Sequence, residues 1–215
     1  MFNQSESQQA ATSNDLQHLS PDELLDVLTI AREHSIRDWC LILVGYTYGL
    51  RASEAVSIKL FDLDWQSEML TVARKKGSLR TVQPIRRHRG RPLLSMFNAF
   101  KEVIKSRKAD GSDYLFLSQK GGQLRPETAC HLMVRYCELA SAERIRRGQQ
   151  PIAKSCHNFK VLKHTLGTCL AESRADAFEI KMRLGHRSFS STQVYVHASQ
   201  KQAGQATDRM MMELF

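Results

Sequence analysis

The feature that most constrains the fold is a largely apolar stretch from Ile36 to Tyr48, which Gly49 follows directly. A helix that is apolar for most of its length is buried by surrounding protein, and glycine is common where a helix ends. The sequence therefore predicts a buried helix, with Arg51 emerging at its end or in the tight turn after it. No run of about 18 apolar residues that could span a bilayer occurs, and no signal-peptide pattern begins the chain.

Helical and strand patterns surround this stretch. Ser20, Pro21 and Glu23 predict a helix start, with Ser as N-cap, Pro at the first helical position and Glu closing a capping box. Further helices are predicted over 52–59, 92–108 and 126–147. The runs MLTVA and LRTVQPI around a glycine-containing turn predict a β-hairpin. Since no Pro- and Gly-rich linker divides the body, we predict one mainly α domain with a small antiparallel β-sheet (α+β).

The two ends of the chain differ from this body. Residues 1–18 are rich in Gln, Ser, Asn and Ala, so they are predicted to form a flexible tail. The folded domain is predicted over 19–200. Residues 201–215 end in MMMELF, and this C-terminal segment is expected either to pack on a neighbouring protomer or to fold back on its own domain.

The charge of the chain favours a polyanionic partner. Lys and Arg number 31 against 22 Asp and Glu, a formal net charge of +9, which favours nucleic acid first and an anionic membrane second. Eight cations and no acid lie from Arg74 to Arg91, so the hairpin is predicted to contact phosphates, a solubilising role being the alternative. Arginines ending the helix 126–147 either satisfy carbonyl groups or lie along DNA. The predicted DNA-binding residues are Arg74, Lys75, Arg80, Arg86, Arg87, Arg89, Arg144, Arg146 and Arg147.

Neither a metal site nor a disulfide framework is expected. The five cysteines are scattered, odd in number and never form a Cys-x-x-Cys pair, so they are predicted to be reduced thiols. No acidic cluster and no His-x-x-x-His pair occurs. A metal-dependent nuclease is accordingly not expected, and no cofactor is predicted.

The C-terminal part of the chain carries cations and one phenol at regular spacing. Lys160 and Lys163 lie one helical turn apart, His186 follows a Leu-Gly pair, and Tyr195 lies beyond it. Attack on a phosphodiester builds negative charge on the non-bridging oxygens, which cations and donors stabilise. A positive pocket also lowers the cost of forming the tyrosine phenolate. Together with Arg51, these residues predict chemistry on a phosphodiester.

Five blocks of the chain occur in the order of a known family: LSPDEL, GLRASE, the KKGS hairpin, the LKHT helix and LGHRSFSSTQVYVH. In these blocks, over residues 19–200, the chain resembles the catalytic domain of the tyrosine recombinases, the phage-integrase family. The resemblance implies a tyrosine recombinase catalytic-domain-like fold that cleaves and rejoins double-stranded DNA through a 3′-phosphotyrosine intermediate, without metal or cofactor. It also implies self-association on DNA as a dimer or tetramer, no membrane contact, and a cytoplasmic, nucleoid-associated location. The layout is similar to that of the short, single-domain fimbrial phase-switch recombinases.

The resemblance also assigns catalytic roles. Arg51 matches the first catalytic arginine, which holds the scissile phosphate. Lys76 matches the hairpin lysine that resembles a general acid toward the leaving 5′ oxygen, and Lys75 is the neighbour with which it could be confused. His186 matches a hydrogen-bond donor to a phosphate oxygen, and Tyr195 matches the nucleophile.

Two lysines stand where the family has other residues. Lys160 falls where histidine is usual and lysine is sometimes found, whereas Lys163 replaces a second arginine. An ammonium is a compact charge and does not reproduce the planar fork that holds two phosphate oxygens. An alternative register, His157-x-x-Lys160, restores the histidine but breaks the 23-residue step from Lys163 to His186. Two other functions therefore stay open: a catalytically impaired DNA-binding protein of the same fold, and a monomeric DNA-relaxing enzyme similar to the type IB topoisomerases.

Overall fold

A computed structural model describes residues 17–74, 79–108 and 111–195. Most of the predicted tail, the segment 201–215, and Lys75 and Lys76 lie outside these described residues. The helices are α1 (Pro21–His34), α2 (Ile36–Thr47), α3 (Ala52–Ala55), α4 (Met96–Ser106), α5 (Pro126–Arg146), α6 (Lys160–Glu172) and α7 (Ala177–Leu184), and residues 190–195 are also helical. Strands β1 (Leu63–Asp64), β2 (Met69–Val72) and β3 (Thr81–Pro84) form one antiparallel sheet in that order. The predicted fold class is therefore confirmed.

The buried apolar helix is confirmed as α2. Its side chains from Trp39 to Val44 have almost no exposed surface, and α1, α4, α5 and α6 pack around it. Gly49 follows with φ +58°, in the left-handed region that favours glycine, and a Cβ there would lie 2.6 Å from Leu184. This turn directs the chain to Arg51.

The contact between α2 and α6 is unusually close at Gly45. A Cβ built on Gly45 would lie 2.7 Å from the ring of Phe159 and 2.8 Å from Leu162. Phe159 is the N-cap of α6, so the start of α6 rests directly on the backbone of α2. A second, smaller apolar cluster lies farther along α6, and it consists of Leu166, Ala171, Ile180, Leu184 and Tyr195.

The start of α1 forms as the sequence predicts. The backbone N–H of Glu23 donates to the Ser20 hydroxyl (3.2 Å), and the backbone N–H of Ser20 donates to the Glu23 carboxylate (2.8 Å). The predicted capping box is therefore present, with Pro21 as the first helical residue.

Two predicted helix boundaries were wrong. The helix predicted over 52–59 ends at Ala55, because the chain then turns to pair with a later segment, and the Leu115 N–H donates to the Ile58 carbonyl (2.9 Å). The helix predicted over 92–108 begins only at Met96. Pro92–Leu94 forms a 3-10 turn, and Ser95 then caps α4 by accepting a hydrogen bond from the Asn98 N–H.

The predicted hairpin is confirmed as β2 and β3, which pair in the register Leu70 to Gln83 and Thr71 to Val82. A short third strand, β1, extends the sheet on the other side of β2. None of the described helices is long and apolar enough to cross a membrane. The five cysteines are free thiols.

Candidate active site

A cavity of about 490 Å³ lies where the turn after α2, the first turns of α6 and the helical residues 190–195 meet. Its lining contains five of the six residues to which the family resemblance assigns catalytic roles, namely Arg51, Lys160, Lys163, His186 and Tyr195. The sixth, Lys76, lies outside the described residues. Among the described residues, no acidic side chain lines the cavity, and no three His, Cys, Asp or Glu side chains group as a metal site requires.

Arg51 reaches the cavity from the N-cap position of α3. Its guanidinium pairs with Glu54 (2.9 Å), and its backbone N–H donates to the same carboxylate (3.0 Å). The Glu54 side chain is wholly buried, whereas 45% of the Arg51 side chain is exposed. The contact with Glu54 orients the Arg51 cation while leaving it open to the cavity.

Glu54 keeps its negative charge despite its burial. Burial alone would raise the pKa of Glu54, but the backbone N–H of Arg51 and the guanidinium groups of Arg74 and Arg51 outweigh it and hold the pKa below its usual value. The buried carboxylate therefore balances part of the charge of two arginines.

The prediction that Arg74 contacts DNA needs correction. The Arg74 side chain has no exposed surface, and it donates to the carbonyl groups of Tyr48 (2.9 Å) and Gly49 (3.0 Å). Its guanidinium also lies 3.5 Å from Glu54. A side chain so enclosed joins the hairpin to the turn after α2, and it cannot reach a phosphate without leaving this site.

The hairpin is also tied to the end of α7. Arg74 donates to the carbonyl of Arg183 (3.3 Å), and the Leu79 N–H donates to the carbonyl of Gly185 (3.2 Å). The two described residues that flank the segment 75–78 are thus both anchored within a few residues of His186.

Lys163 is buried at the floor of the cavity. Its side-chain nitrogen donates to the Leu184 carbonyl (2.8 Å), and 7% of the residue is exposed. Burial, followed by the charges of Arg74 and Arg51, lowers the pKa of Lys163 to about 7, with Glu54 opposing them. This amine can therefore lose its proton near neutral pH, unlike an arginine at the same position.

His186 follows Gly185, whose left-handed backbone (φ +65°) ends α7. Burial and the nearby cations, Lys163 first, lower the pKa of His186 to about 4, so the imidazole is neutral near pH 7. Its Nδ1 lies 3.0 Å from the Thr192 hydroxyl. When that hydroxyl donates to Nδ1, the ring proton is on Nε2, which is then a hydrogen-bond donor.

Tyr195 packs into the second apolar cluster with 2% of its surface exposed. Its ring stacks on His186, with centroids 6.4 Å apart and an interplanar angle of 16°. A Cβ at Gly167 would lie 2.4 Å from this ring, so the ring occupies space that only glycine leaves on α6. Burial raises the pKa of Tyr195 to about 12, and the hydroxyl is protonated at neutral pH.

His164 was not among the predicted site residues, yet it lines the cavity and its Nδ1 lies 3.0 Å from the Tyr195 hydroxyl. Burial, followed by the charges of Lys160 and Lys163, lowers the pKa of His164 to about 4. The available sequence signals were its place next to Lys163 in LKHT and the need for a proton acceptor near a nucleophilic phenol.

The arginines at the end of α5 are paired with acids. Arg144 is largely buried and pairs with Asp26 (2.7 Å) while donating to a backbone carbonyl (2.8 Å). Arg147 pairs with Asp26 as well (2.8 Å), and Arg146 pairs with Glu143. The prediction that Arg144 binds DNA is therefore corrected: it satisfies a carbonyl and a carboxylate within the domain, which was the alternative.

The predicted DNA contacts on either side of β3 differ in exposure and pairing. Arg80, Arg86 and Arg89 are exposed. Arg87 is also exposed but pairs with Glu68, and its guanidinium carbon lies 3.4 Å from the centre of the Phe97 ring. Part of its charge is thus already balanced.

By its fold and its cavity, the chain falls in a class of helical domains in which a tyrosine lies among cationic side chains and imidazoles. The chain matches the phage integrase family over residues 17–202, and it belongs to this family.

Two curated relatives are tyrosine recombinases. The chain is 28% identical to tyrosine recombinase XerC of Bacillus subtilis (strain 168) over 181 residues, which cover 84% of this chain and 55% of the relative. It is 28% identical to tyrosine recombinase XerA of Pyrococcus furiosus over 194 residues, covering 89% of this chain and 60% of the relative. The chain thus spans little more than half the length of these relatives.

A solved structure has the same fold. The Tn1549 transposon integrase (residues 82–397), in complex with circular intermediate DNA, superimposes with a TM-score of 0.69 at 20% identity. The superposition covers 93% of this chain and 68% of the integrase chain. The expected tyrosine recombinase catalytic-domain fold is therefore confirmed.

Proposed function

We propose that the chain is the catalytic domain of a site-specific recombinase that cleaves and rejoins double-stranded DNA through a 3′-phosphotyrosine intermediate. One observation carries this proposal: Tyr195 shares a single cavity with Arg51, Lys160, Lys163 and His186. The two tyrosine recombinase relatives, and the transposon integrase that was solved on DNA, support the same activity.

Each residue has a defined part in the reaction. Arg51 and Lys163 hold the non-bridging oxygens of the scissile phosphate, His186 donates to one of them, and Lys160 adds positive charge at the rim. The Tyr195 oxygen attacks phosphorus, an O–P bond forms, and the bond from phosphorus to the 5′ oxygen breaks. The covalent adduct conserves the bond energy, so a 5′ hydroxyl can attack it and reseal a strand.

Lys76 is proposed as the general acid that protonates the leaving 5′ oxygen. The family resemblance carries this role, and Lys76 itself lies outside the described residues. Support comes from the flanking residues, because Arg74 and Leu79 are anchored to the chain just before His186.

The lysine at position 163 is compatible with catalysis. A bound phosphate adds negative charge beside an amine whose pKa is about 7 in the free protein. That charge favours the ammonium form, so DNA binding would restore the cation that burial partly removes. We therefore favour an active enzyme over an impaired DNA-binding protein.

The wider assembly is part of the same proposal. Exchange of strands between two duplexes requires two cleaved strands to be held at once, so at least two protomers associate on DNA, as a dimer or tetramer. The exposed Arg80, Arg86 and Arg89 are proposed to contact phosphates. The domain limits 19–200 and a cytoplasmic, nucleoid-associated location remain predictions from the sequence.

The proposal is tested by covalent trapping. The protein is incubated with a pool of nicked DNA duplexes of randomised sequence, in which the short strand released by cleavage diffuses away. Wild type is expected to form an adduct that resists denaturing electrophoresis, with the DNA attached to Tyr195 by peptide mass spectrometry. Tyr195→Phe should bind the same pool and form no adduct.

Other outcomes identify the alternatives. Binding of the pool without any adduct would overturn the proposal in favour of a DNA-binding protein. An adduct together with relaxation of supercoiled plasmid by the monomer, and no strand exchange between two sites, would indicate a topoisomerase-like enzyme.

A further inference from the structure

The hydroxyl of the proposed nucleophile is already engaged in the free protein. The Nδ1 atom of His164 lies 3.0 Å from the Tyr195 oxygen, and the two rings are tilted by 41° with centroids 6.2 Å apart. Within the part of the chain that the structure describes, no other hydrogen bond reaches this hydroxyl. His164 therefore faces the atom that loses a proton when the phenol attacks.

The other basic groups around Tyr195 are less suited to take that proton. His186 directs Nδ1 at Thr192 and stacks on the phenol ring, so its contact with Tyr195 is through ring faces. Lys163 directs its nitrogen at the Leu184 carbonyl. His164 is the imidazole whose lone pair can point at the hydroxyl.

We propose that His164 is the catalytic base, which accepts the Tyr195 proton as the phenol oxygen attacks phosphorus and returns it when the strand is resealed. This inference rests on the proposed recombinase activity. In cleavage the Tyr195 oxygen bonds to phosphorus, the bond to the 5′ oxygen breaks, and the phenol proton moves to Nδ1. The 5′ oxygen takes a separate proton from the general acid, and resealing reverses each transfer.

The free protein is poised to hold the proton on the phenol. Burial, then Lys160 and Lys163, lower the pKa of His164 to about 4, whereas burial raises that of Tyr195 to about 12. The neutral imidazole, with its proton on Nε2, can accept the hydrogen bond at Nδ1. The transfer is unfavourable until a phosphate enters and offsets the lysine charges, so the nucleophile is activated only with DNA in place.

The remaining charged groups of the cavity also disfavour protonation of His164 in the free protein. Arg51, the His186 ring that stacks on Tyr195 and the Cys130 thiol are the other titratable or charged groups that line it. Burial raises the pKa of Cys130, so this thiol is neutral at pH 7. Arg51 and a protonated Lys163 oppose an imidazolium in the free protein, and both are the groups that a bound phosphate would neutralise.

The test compares His164→Asn with His164→Ala in single-turnover cleavage of the nicked duplex recovered from the trapping selection. The amide oxygen of asparagine can accept the phenol hydrogen bond, but it cannot take up the proton. We expect both variants to form adduct about 100-fold more slowly than wild type at pH 7. Their rates should rise about tenfold per pH unit up to pH 9, because hydroxide then ionises the phenol.

A matched control and a binding assay separate catalysis from folding. His131→Asn replaces an exposed histidine of α5 and should cleave like wild type. The His164 variants should retain DNA affinity within about threefold, since they keep the phosphate-holding cations. A His164→Asn variant as fast as wild type would overturn the proposal, because it would reduce His164 to a positioning group.

A second measurement uses the wild-type protein alone, in case the variants do not fold. A substrate with a 5′-bridging sulfur has a leaving group that needs no proton, so a solvent isotope effect on its cleavage reports the phenol proton. Cleavage should be about twofold slower in D₂O if that proton moves in the transition state. The absence of any slowing would overturn the proposal, whereas a wild type that never forms adduct would overturn the recombinase activity itself.

Discussion

Two cation-rich regions of the molecule differ in how their charge is balanced. At the end of α5, three arginines pair with the carboxylates of Asp26 and Glu143. In the cavity beside α6, no acidic side chain of the described residues forms part of the lining, and the buried Glu54 balances its cations only in part. A basic stretch of sequence therefore indicates a polyanion-binding surface only where the fold places no carboxylate beside the cations to balance their charge.

The largest effect expected from this difference concerns Arg51 and Arg147, two arginines that are each 45% exposed. Arg51→Ala should slow adduct formation by about 100- to 1,000-fold, because it removes a cation from the developing phosphate charge. Arg147→Ala should leave the rate within about twofold of wild type. The measurement is single-turnover cleavage of the nicked duplex, and equal losses in both variants would show that the two regions act alike.

Because Arg74 is buried, we expect it to stabilise the fold, although it belongs to the basic hairpin. Arg74→Met should lower the free energy of unfolding by about 3 kcal/mol, because it removes one of the two arginines that pair with the buried Glu54 and leaves the carbonyl groups of Tyr48 and Gly49 without their buried donor. Arg80→Met, the matched change at an exposed position of the same hairpin, should alter it by less than about 0.5 kcal/mol. Chemical denaturation of both variants checks this, and comparable stabilities would contradict the buried site.

The cavity should also differ from the rest of the surface in its response to pH. The pKa of Lys163 is lowered to about 7 in the free protein, and a bound phosphate favours its charged form. Above that pKa the free protein has lost the proton and must regain it on binding, so DNA affinity should fall by up to about tenfold per pH unit. Lys163→Arg should remove this pH dependence, because an arginine stays charged over this range. If the DNA affinity of both proteins changes with pH to the same extent between pH 7 and about 9, the prediction is wrong.

The smallest effect is expected within the basic hairpin itself. Arg86→Ala and Arg89→Ala should each reduce the slope of log affinity against log salt by about 0.9, as the loss of one phosphate contact does. Arg87→Ala should reduce it less, because Glu68 already balances its charge. Anisotropy titrations with non-specific duplex DNA test this, and a slope unchanged in all three would assign the hairpin a solubilising role.

Sequence patterns predicted the parts of the fold that depend on local chemistry. The apolar stretch after Ser35, the capping box at Ser20 and the alternation in the hairpin each specify an element on their own. The early end of α3 depends on pairing with a distant segment of the chain. The Ile58 carbonyl meets Leu115, and no local pattern indicates that contact.

The sequence predicted most of the cationic and phenolic residues that line the cavity, but not His164 and not the contacts among them. Spacing in the family motifs was enough to select Arg51, His186 and Tyr195, which the structure brings to one cavity. Burial of a cation depends on the whole fold, so Arg74 and Arg144 could not be told from exposed arginines. His164 and Tyr195 are distant in sequence, so their contact could not be predicted from the sequence pattern.

The close approach of α2 and α6 at Gly45 bears on how accurately the cavity is built. Arg51 follows α2 and the two lysines lie on α6, so their separation is set by the ring of Phe159 resting on a bare backbone. A Cβ at position 45 would lie less than 3 Å from side-chain atoms of both Phe159 and Leu162, so an added methyl group would displace those side chains or the start of α6 that carries them. The distance between Arg51 and the two lysines therefore depends on a glycine in the core, and not on a group that contacts the phosphate.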